Sequence, residues 1–161
     1  MSKKDFIQPQ SEIREVFGAP VGCSFCNIEP NERNIILKET AYCTVLISNP
    51  MRHLNHVLVI PKRHVSRIDK LTGVELADLF TTVAFCNKKL LGRTTKTGCD
   101  ICIHYRPFLK DDGIKVKHLH VHVIPLKQGD RLHRHRSQEV NLFRISSAKN
   151  NQRLTELFTD L

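Results

Sequence analysis

The sequence has no tryptophan and only two tyrosines, and aromatic residues make up 6% of its 161 positions. A chain so poor in large flat side chains offers no extended platform for stacking single-stranded nucleic acid. No apolar stretch approaches the roughly 20 residues that cross a bilayer; runs such as Val57-Leu58-Val59-Ile60 stop far short. The start, Met1-Ser2-Lys3-Lys4-Asp5, leads into polar sequence without the apolar segment of a secretory signal, so a soluble, cytoplasmic protein is expected. Acidic residues are the minority, 16 against 25 Lys and Arg, for a net charge of +9. That balance favours polyanionic partners: nucleotides, polyphosphates or nucleic acid. Internal repeats and low-complexity tracts are absent.

What remains is globular in composition, 40% hydrophobic and 25% charged, at a length that fits one ordinary core. Residues 1–22 read as an N-terminal extension with a short helix: Ser11 caps it, Ile13, Val16 and Phe17 form its stripe, and Gly18 stops it. Strands are expected at 35–38, 42–47, 56–60, 100–105 and 116–124, with Asp111-Asp112-Gly113 as a turn before the last. Thr72 and Glu75 have the spacing of a capping box. Behind them Leu76, Leu79, Phe80, Val83, Ala84, Leu90 and Leu91 recur at helical spacing, predicting one long helix to Gly92. The main domain is placed at 23–126. A basic C-terminal extension, 127–161, ends in a short helix carrying Leu154, Leu157, Phe158 and Leu161 and packs on the same domain. The expected class is α+β, an antiparallel sheet of about five strands packed with one long helix and short terminal helices.

The histidines carry the chemistry. In His118-Leu-His-Val-His-Val-Ile-Pro125, a strand would line His118, His120 and His122 along one face at about 6.6–6.8 Å intervals, with Leu119, Val121 and Val123 entering the core. Three imidazoles in a row each need partners for two ring nitrogens, which is costly without a task. Ligation of a metal by all three is one reading, although ligands strung along one strand converge poorly on a small ion. The other is a nucleophile or base whose neighbours set tautomer and charge. Neutral imidazole attacks phosphorus without prior deprotonation, and the phospho-imidazole it forms is labile, as a two-step transfer requires.

This stretch, with His56-Val-Leu-Val-Ile-Pro-Lys-Arg-His64 and Cys23-Ser-Phe-Cys26, resembles the histidine triad (HIT) superfamily of nucleotide hydrolases and transferases, over roughly residues 21–126. The resemblance implies a nucleophilic His120 attacking an α-phosphate, His122 holding phosphate oxygens, His118 orienting the site and His56 contacting the phosphate or leaving group. Zinc-containing, Hint-like members imply a structural Cys23, Cys26, His64, His118 site for Zn²⁺. It further implies an apolar base pocket from Phe25, Ile28 and Leu46, and a homodimer paired through the long helix and a sheet edge. Cys43, Cys86, Cys99 and Cys102 read as core or surface thiols, since an i, i+3 pair such as Cys99 and Cys102 points to opposite faces of a strand.

Several positions depart from the family pattern. Ser48, followed by Asn49, stands where relatives place an acidic ribose-binding residue, and Gly113-Ile114-Lys115 stands where they often carry Gly-Gln-Ser. Lys115 could set a cation on the phosphates, and His104 or Arg106 occupies the place of a family asparagine. The implied activity is hydrolysis of a nucleotide phosphoramidate or dinucleotide polyphosphate, releasing a nucleoside monophosphate. Alternatives are a nucleotidyltransferase or phosphorylase, an aprataxin-like removal of adenylate from nucleic-acid ends, and a nucleotide sensor or scaffold without turnover.

Overall fold

A computed structural model describes residues 22–107, 116–130 and 145–159. The N-terminal helix expected within 1–22, the turn at 111–113, Lys115, and the stretch 131–144 of the basic segment lie outside the described residues, but for Gly22. In chain order the elements are β1 (Ile36–Glu39), β2 (Cys43–Ile47), β3 (Val57–Pro61), a 3₁₀ turn (Ile68–Lys70), α1 (Gly73–Gly92), β4 (Gly98–Ile103), β5 (Val121–Leu126) and α2 (Ala148–Thr159). The five strands form one sheet in the order β1-β2-β3-β5-β4, and every neighbouring pair is antiparallel. The chain leaves β3, crosses through α1 to the edge strand β4, and returns as β5 in the gap. The last strand in sequence among the described residues is thereby buried between two others.

Alternation decides what each sheet face does. Val45 and Ile47 on β2, Val57 and Val59 on β3, and Val121 and Val123 on β5 point to one face, where Leu79, Val83, Cys86 and Leu90 of α1 and Leu154, Leu157 and Phe158 of α2 close the core. Fully burying each such side chain contributes about 1.5–3 kcal/mol. The opposite face carries a row across all five strands, Ile36–Leu46–Leu58–His122–Cys102, paired in register. Along it Leu46, Leu58 and Ile60 form a smaller cluster with Phe25, Ile28 and Ile36.

The capping box is formed: the Glu75 amide donates to Thr72 Oγ1, and the Glu75 carboxylate accepts from the Thr72 amide at 2.8 Å. The helical stripe is narrower than its periodicity predicted. Leu76 and Phe80 are 37% and 46% exposed, while Thr82 and Cys86 take inward positions. A single helix lying on a sheet buries one seam, here 79, 83, 86 and 90, rather than the wider arc the apolar residues offer.

A second correction concerns the triad. The strand expected from 116 begins at Val121. Before it, the Leu119 amide donates to the Val65 carbonyl at 2.6 Å, and the rings of His118 and His120 turn to backbone carbonyls. The Leu119 bond stands where a ladder bond would, and the two rings turn away from a common face, so His118 and His120 stand on an irregular approach to β5.

Candidate metal centre and candidate active site

Four donors converge at the foot of the sheet. Cys23 Sγ and Cys26 Sγ each lie 3.5 Å from His118 Nδ1, and Cys26 Sγ lies 3.2 Å from His64 Nδ1. All four ligand atoms fall within 4.8 Å of one another. A tetrahedral zinc with bonds of about 2.3 Å to sulfur and 2.0–2.1 Å to nitrogen places sulfur and nitrogen ligands about 3.5 Å apart, so the set fits a closed Cys₂His₂ site. His118 Nε2 donates to the Pro61 carbonyl at 2.8 Å, which leaves the Nδ1 lone pair facing the thiols, the outer-shell arrangement metal-binding histidines use. Burial and the neighbouring Cys23 push the Cys26 thiol up to about 12; a bound dication reverses that direction. Burial likewise lowers His64, and holds His118 down to about 4, in the neutral form a ligand needs.

His64 is held in place from the helix. Arg63 forks onto Glu75 with two bonds of 2.7 Å and reaches the Lys70 carbonyl at 2.8 Å. The residue that caps α1 therefore also fixes the segment that carries His64.

Two residues beyond His118 a second cluster begins. Its rings are His56, His104, His120 and His122, with His122 lying 5.1 Å from His56, 5.0 Å from His104 and 4.9 Å from His120 between centroids. Hydrogen bonds set the tautomers. The Arg52 amide donates to His56 Nδ1 at 3.1 Å, so the proton of neutral His56 is on Nε2. His56 Nε2 then donates to His122 Nδ1 at 2.9 Å, which leaves His122 with a proton on Nε2. His120 Nδ1 donates to the His118 carbonyl at 2.7 Å, and its Nε2 keeps a lone pair. The cluster thus offers one nucleophilic nitrogen and, beside it, one N–H donor. Burial, with the nearby Arg52 charge, lowers His56 to about 3 and depresses His120 and His122 as well, so all three rings are neutral at pH 7.

The residues expected to bind substrate divide. Phe25 packs edge-on against His120 at 5.3 Å and against His118 at 6.1 Å. It shares an apolar wall with Ile28 and Leu46, so these three are brought together beside His120. A shallow cavity continues from Phe25, Ile28 and Ile36 towards Glu39, Thr44 and Lys62. His104 joins the cluster, with Cys102 Sγ 3.6 Å from its Nε2. Cys99 packs against the core on the other side of β4, as the i, i+3 spacing predicts. Ser48 is placed differently: it is buried, and its hydroxyl donates to the Pro50 carbonyl at 3.0 Å beside a cis Asn49-Pro50 bond. Asn49 Oδ1 accepts from the Ser146 amide at 3.5 Å. Both side chains are engaged within the protein.

Sequence reasoning missed the loop before His56. Arg52, whose amide sets the His56 tautomer, had no periodic or motif signal. Asn55 holds φ at 64°, a left-handed conformation that Asn adopts more readily than most residues. His53, Lys96 and Asp130 form a half-buried triangle in which Asp130 Oδ2 lies 2.7 Å from Lys96 Nζ and 3.3 Å from His53 Nε2.

A sheet of five antiparallel strands, one long helix across its core face, and a histidine cluster at its centre together define a histidine triad domain. The HIT domain family model matches residues 29–129, and the chain belongs to that family. It is 41% identical over 75 residues, 47% of the chain and 40% of the relative, to the asymmetrical bis(5'-nucleosyl)-tetraphosphatase of Schizosaccharomyces pombe. The chain spans less than half the length of the first curated relatives it matches. Among solved structures, a hypothetical histidine triad nucleotide-binding protein from Sulfolobus tokodaii superposes with a TM-score of 0.66 at 21% identity, over 84% of this chain and 89% of that one. A Zn-bound histidine triad family protein from Mycobacterium smegmatis superposes at 0.59 with 20% identity, over 85% and 93%. No helix among the described residues is long and apolar enough to cross a membrane.

Proposed function

We propose that the chain cleaves a nucleotide at its α-phosphate through a nucleotidyl-His120 intermediate, with a dinucleoside polyphosphate as the leading substrate class and a nucleoside phosphoramidate as the second. The carrying observation is the tautomer chain that leaves His120 Nε2 unprotonated beside the Nε2–H of His122. Similarity to the fission-yeast tetraphosphatase supports the polyphosphate class.

In the first step the His120 Nε2 lone pair forms a bond to phosphorus while the bond to the leaving phosphate breaks, or the bond to a leaving amine that takes a proton from solvent as it departs. His122 Nε2–H donates to a non-bridging oxygen, where charge grows in the transition state. In the second step water attacks phosphorus, the P–N bond breaks, and a nucleoside monophosphate leaves with His120 restored. His56 keeps His122 in the donating tautomer. The wall of Phe25, Ile28 and Leu46 seats the base, and His104 lies at the phosphate end. Lys115 remains the proposed cation for the distal phosphates. Ser48 and Asn49, turned inward, leave ribose contacts to other groups.

Cys23, Cys26, His64 and His118 would hold a structural zinc; bound there, the ion supplies a closed crosslink between the N-terminal segment and the sheet. His118 orients His120 through its carbonyl. Exposed Val74 and Phe80 on α1, with Ile101 on the edge strand β4, support a homodimer through those surfaces. The test is release of nucleoside monophosphate from a dinucleoside tetraphosphate and from an adenosine phosphoramidate. His120→Ala is expected to lose at least about 10⁴-fold in turnover while retaining nucleotide binding. Binding without turnover by the unmutated protein would instead make it a sensor. Activity confined to adenylated oligonucleotides, falling steeply with salt, would move it to end processing.

A further inference from the structure

His56 occupies an enclosed position that its own strand does not build. It is 1% exposed, and the loop in front of it closes back on its ring. The Arg52 amide reaches His56 Nδ1, and the His56 amide bonds to the His53 carbonyl at 3.3 Å. Asn55, 4% exposed, reverses the chain between them at φ 64°. A turn of this kind leaves the Asn55 amide pointing away from the loop, buried and in need of an acceptor.

The acceptor comes from the other end of the chain. Asn150 Oδ1 takes the Asn55 amide proton at 3.2 Å, across 95 residues of sequence. Its Nδ2 donates to Ser146 Oγ at 2.9 Å and lies 3.9 Å from Met51 Sδ. Just ahead of α2 the Ser146 amide donates to Asn49 Oδ1 at 3.5 Å, a second bond between this segment and the chain leading into the loop. Asn150 is the third residue of α2, 6% exposed, with its own amide capped by Ser147 Oγ at 3.2 Å. Asn is a poor helix former, and at this position a Glu or Gln reaching back to the cap is the usual choice. Here the side chain faces the loop that carries Met51 and Asn55, on both sides of Arg52.

We infer that Asn150 is a positioning residue for the active site: it holds the 51–56 loop closed so that the Arg52 amide fixes the His56 tautomer, and through His56 that of His122. The inference rests on the catalytic reading above, and gives the C-terminal helix a role in it beyond core packing. Without the Asn150 side chain, the Asn55 amide is buried and unpaired, and the loop opens to find water. His56 Nδ1 then loses its donor, the ring samples both tautomers, and His122 no longer presents Nε2–H alone.

Two readouts separate this from plain destabilisation. Long-range ¹H–¹⁵N imidazole spectra report the tautomers directly, and kcat measured well below the melting temperature reports their consequence. Asn150→Ala is expected to show mixed tautomers at His56 and His122 and a kcat lowered about 10- to 100-fold, the cost of a misplaced reacting group, with KM little changed. Leu157→Ala, which removes a core contact of the same helix, is expected to lower the melting temperature while leaving tautomers and kcat as in the unmutated protein. Asn150→Asp keeps the acceptor for Asn55 and is expected to retain the single His56 tautomer. If Asn150→Ala does not fold, Asn150→Ser supplies the same measurement with a shorter side chain. Unchanged tautomers in Asn150→Ala, or an equal loss of kcat in Leu157→Ala, would overturn the inference. Absence of turnover in the unmutated protein would instead overturn the proposed activity, and the spectra alone would then decide the positioning role.

Discussion

Two groups of histidines stand side by side in this protein and differ in what faces their free nitrogens. His64 and His118 turn Nδ1 towards sulfur, in a set whose four donors enclose one point. His56, His120 and His122 turn nitrogen towards nitrogen or towards backbone, and end in one lone pair and one N–H. The first arrangement has no open position and suits a crosslink; the second keeps a lone pair and an N–H and suits a reaction. Burial keeps both sets neutral, so charge does not distinguish them. The partner of the second ring nitrogen does. The Pro61 carbonyl commits His118 to the thiols, and the His118 carbonyl commits His120 to the opposite task. Two residues apart, the same side chain is assigned two jobs by two carbonyl oxygens.

The comparison breaks if either group can be removed without its own signature. The largest expected effect is at the sulfur set. Cys26→Ala should abolish stoichiometric zinc, read by metal analysis, and cost about 3–5 kcal/mol or more of stability, because a structural site's binding energy is also folding energy. If activity survives that loss undiminished at low temperature, the two groups are independent. Next, His56→Leu should lower kcat by about 10²-fold, the scale set by losing one preorganised donor, while metal content stays at the unmutated value; a change in metal content would merge the groups. A smaller effect is expected at the turn before His56. Asn55→Ala should destabilise by about 1–2 kcal/mol, the penalty for a Cβ in the left-handed region without a polar side chain, whereas Asn55→Gly should be nearly neutral by chemical denaturation.

The smallest effect is electrostatic. Burial opposes ionisation of Asp130, but the Lys96 hydrogen bond, the Lys127 amide and the His53 charge outweigh it and hold the carboxyl near about 2, below its ordinary 3.8. A depressed carboxyl stabilises the folded state above its unfolded value and loses that contribution as pH falls towards the folded one. Asp130→Asn should therefore melt below the unmutated protein at pH 5 and above, with the gap closing between about pH 4 and 2. A gap independent of pH would mean that Asp130 acts through packing alone.

Much of this was legible in the order of residues. Capping box, strand alternation and the Cys-x-x-Cys spacing are local patterns, and local patterns are set by bond geometry and side-chain period. The triad spacing pointed to phosphorus chemistry, and the pairing of Cys23 and Cys26 with His64 and His118 followed from resemblance. What misled was also local. A run of alternating apolar residues predicted a strand through His118, but the Val65 carbonyl took the Leu119 amide and the Pro61 carbonyl took the His118 ring. Ser48, a substrate position by resemblance, donates its hydroxyl to the Pro50 carbonyl, which the motif does not show. Sequence distance hid the rest: nothing near Asn55 announces that residue 150 will accept its amide.

The sequence by itself determined which elements form and which side chains can do chemistry, because helix caps, strand periods and imidazole's two nitrogens are properties of residues and their near neighbours. Only the tertiary structure decided which nitrogen of each histidine is free. That choice belongs to hydrogen-bond partners from distant segments: Pro61 for His118, the loop braced by Asn150 for His56, and His56 for His122. A neutral imidazole has one proton for two sites, and the fold settles where it goes.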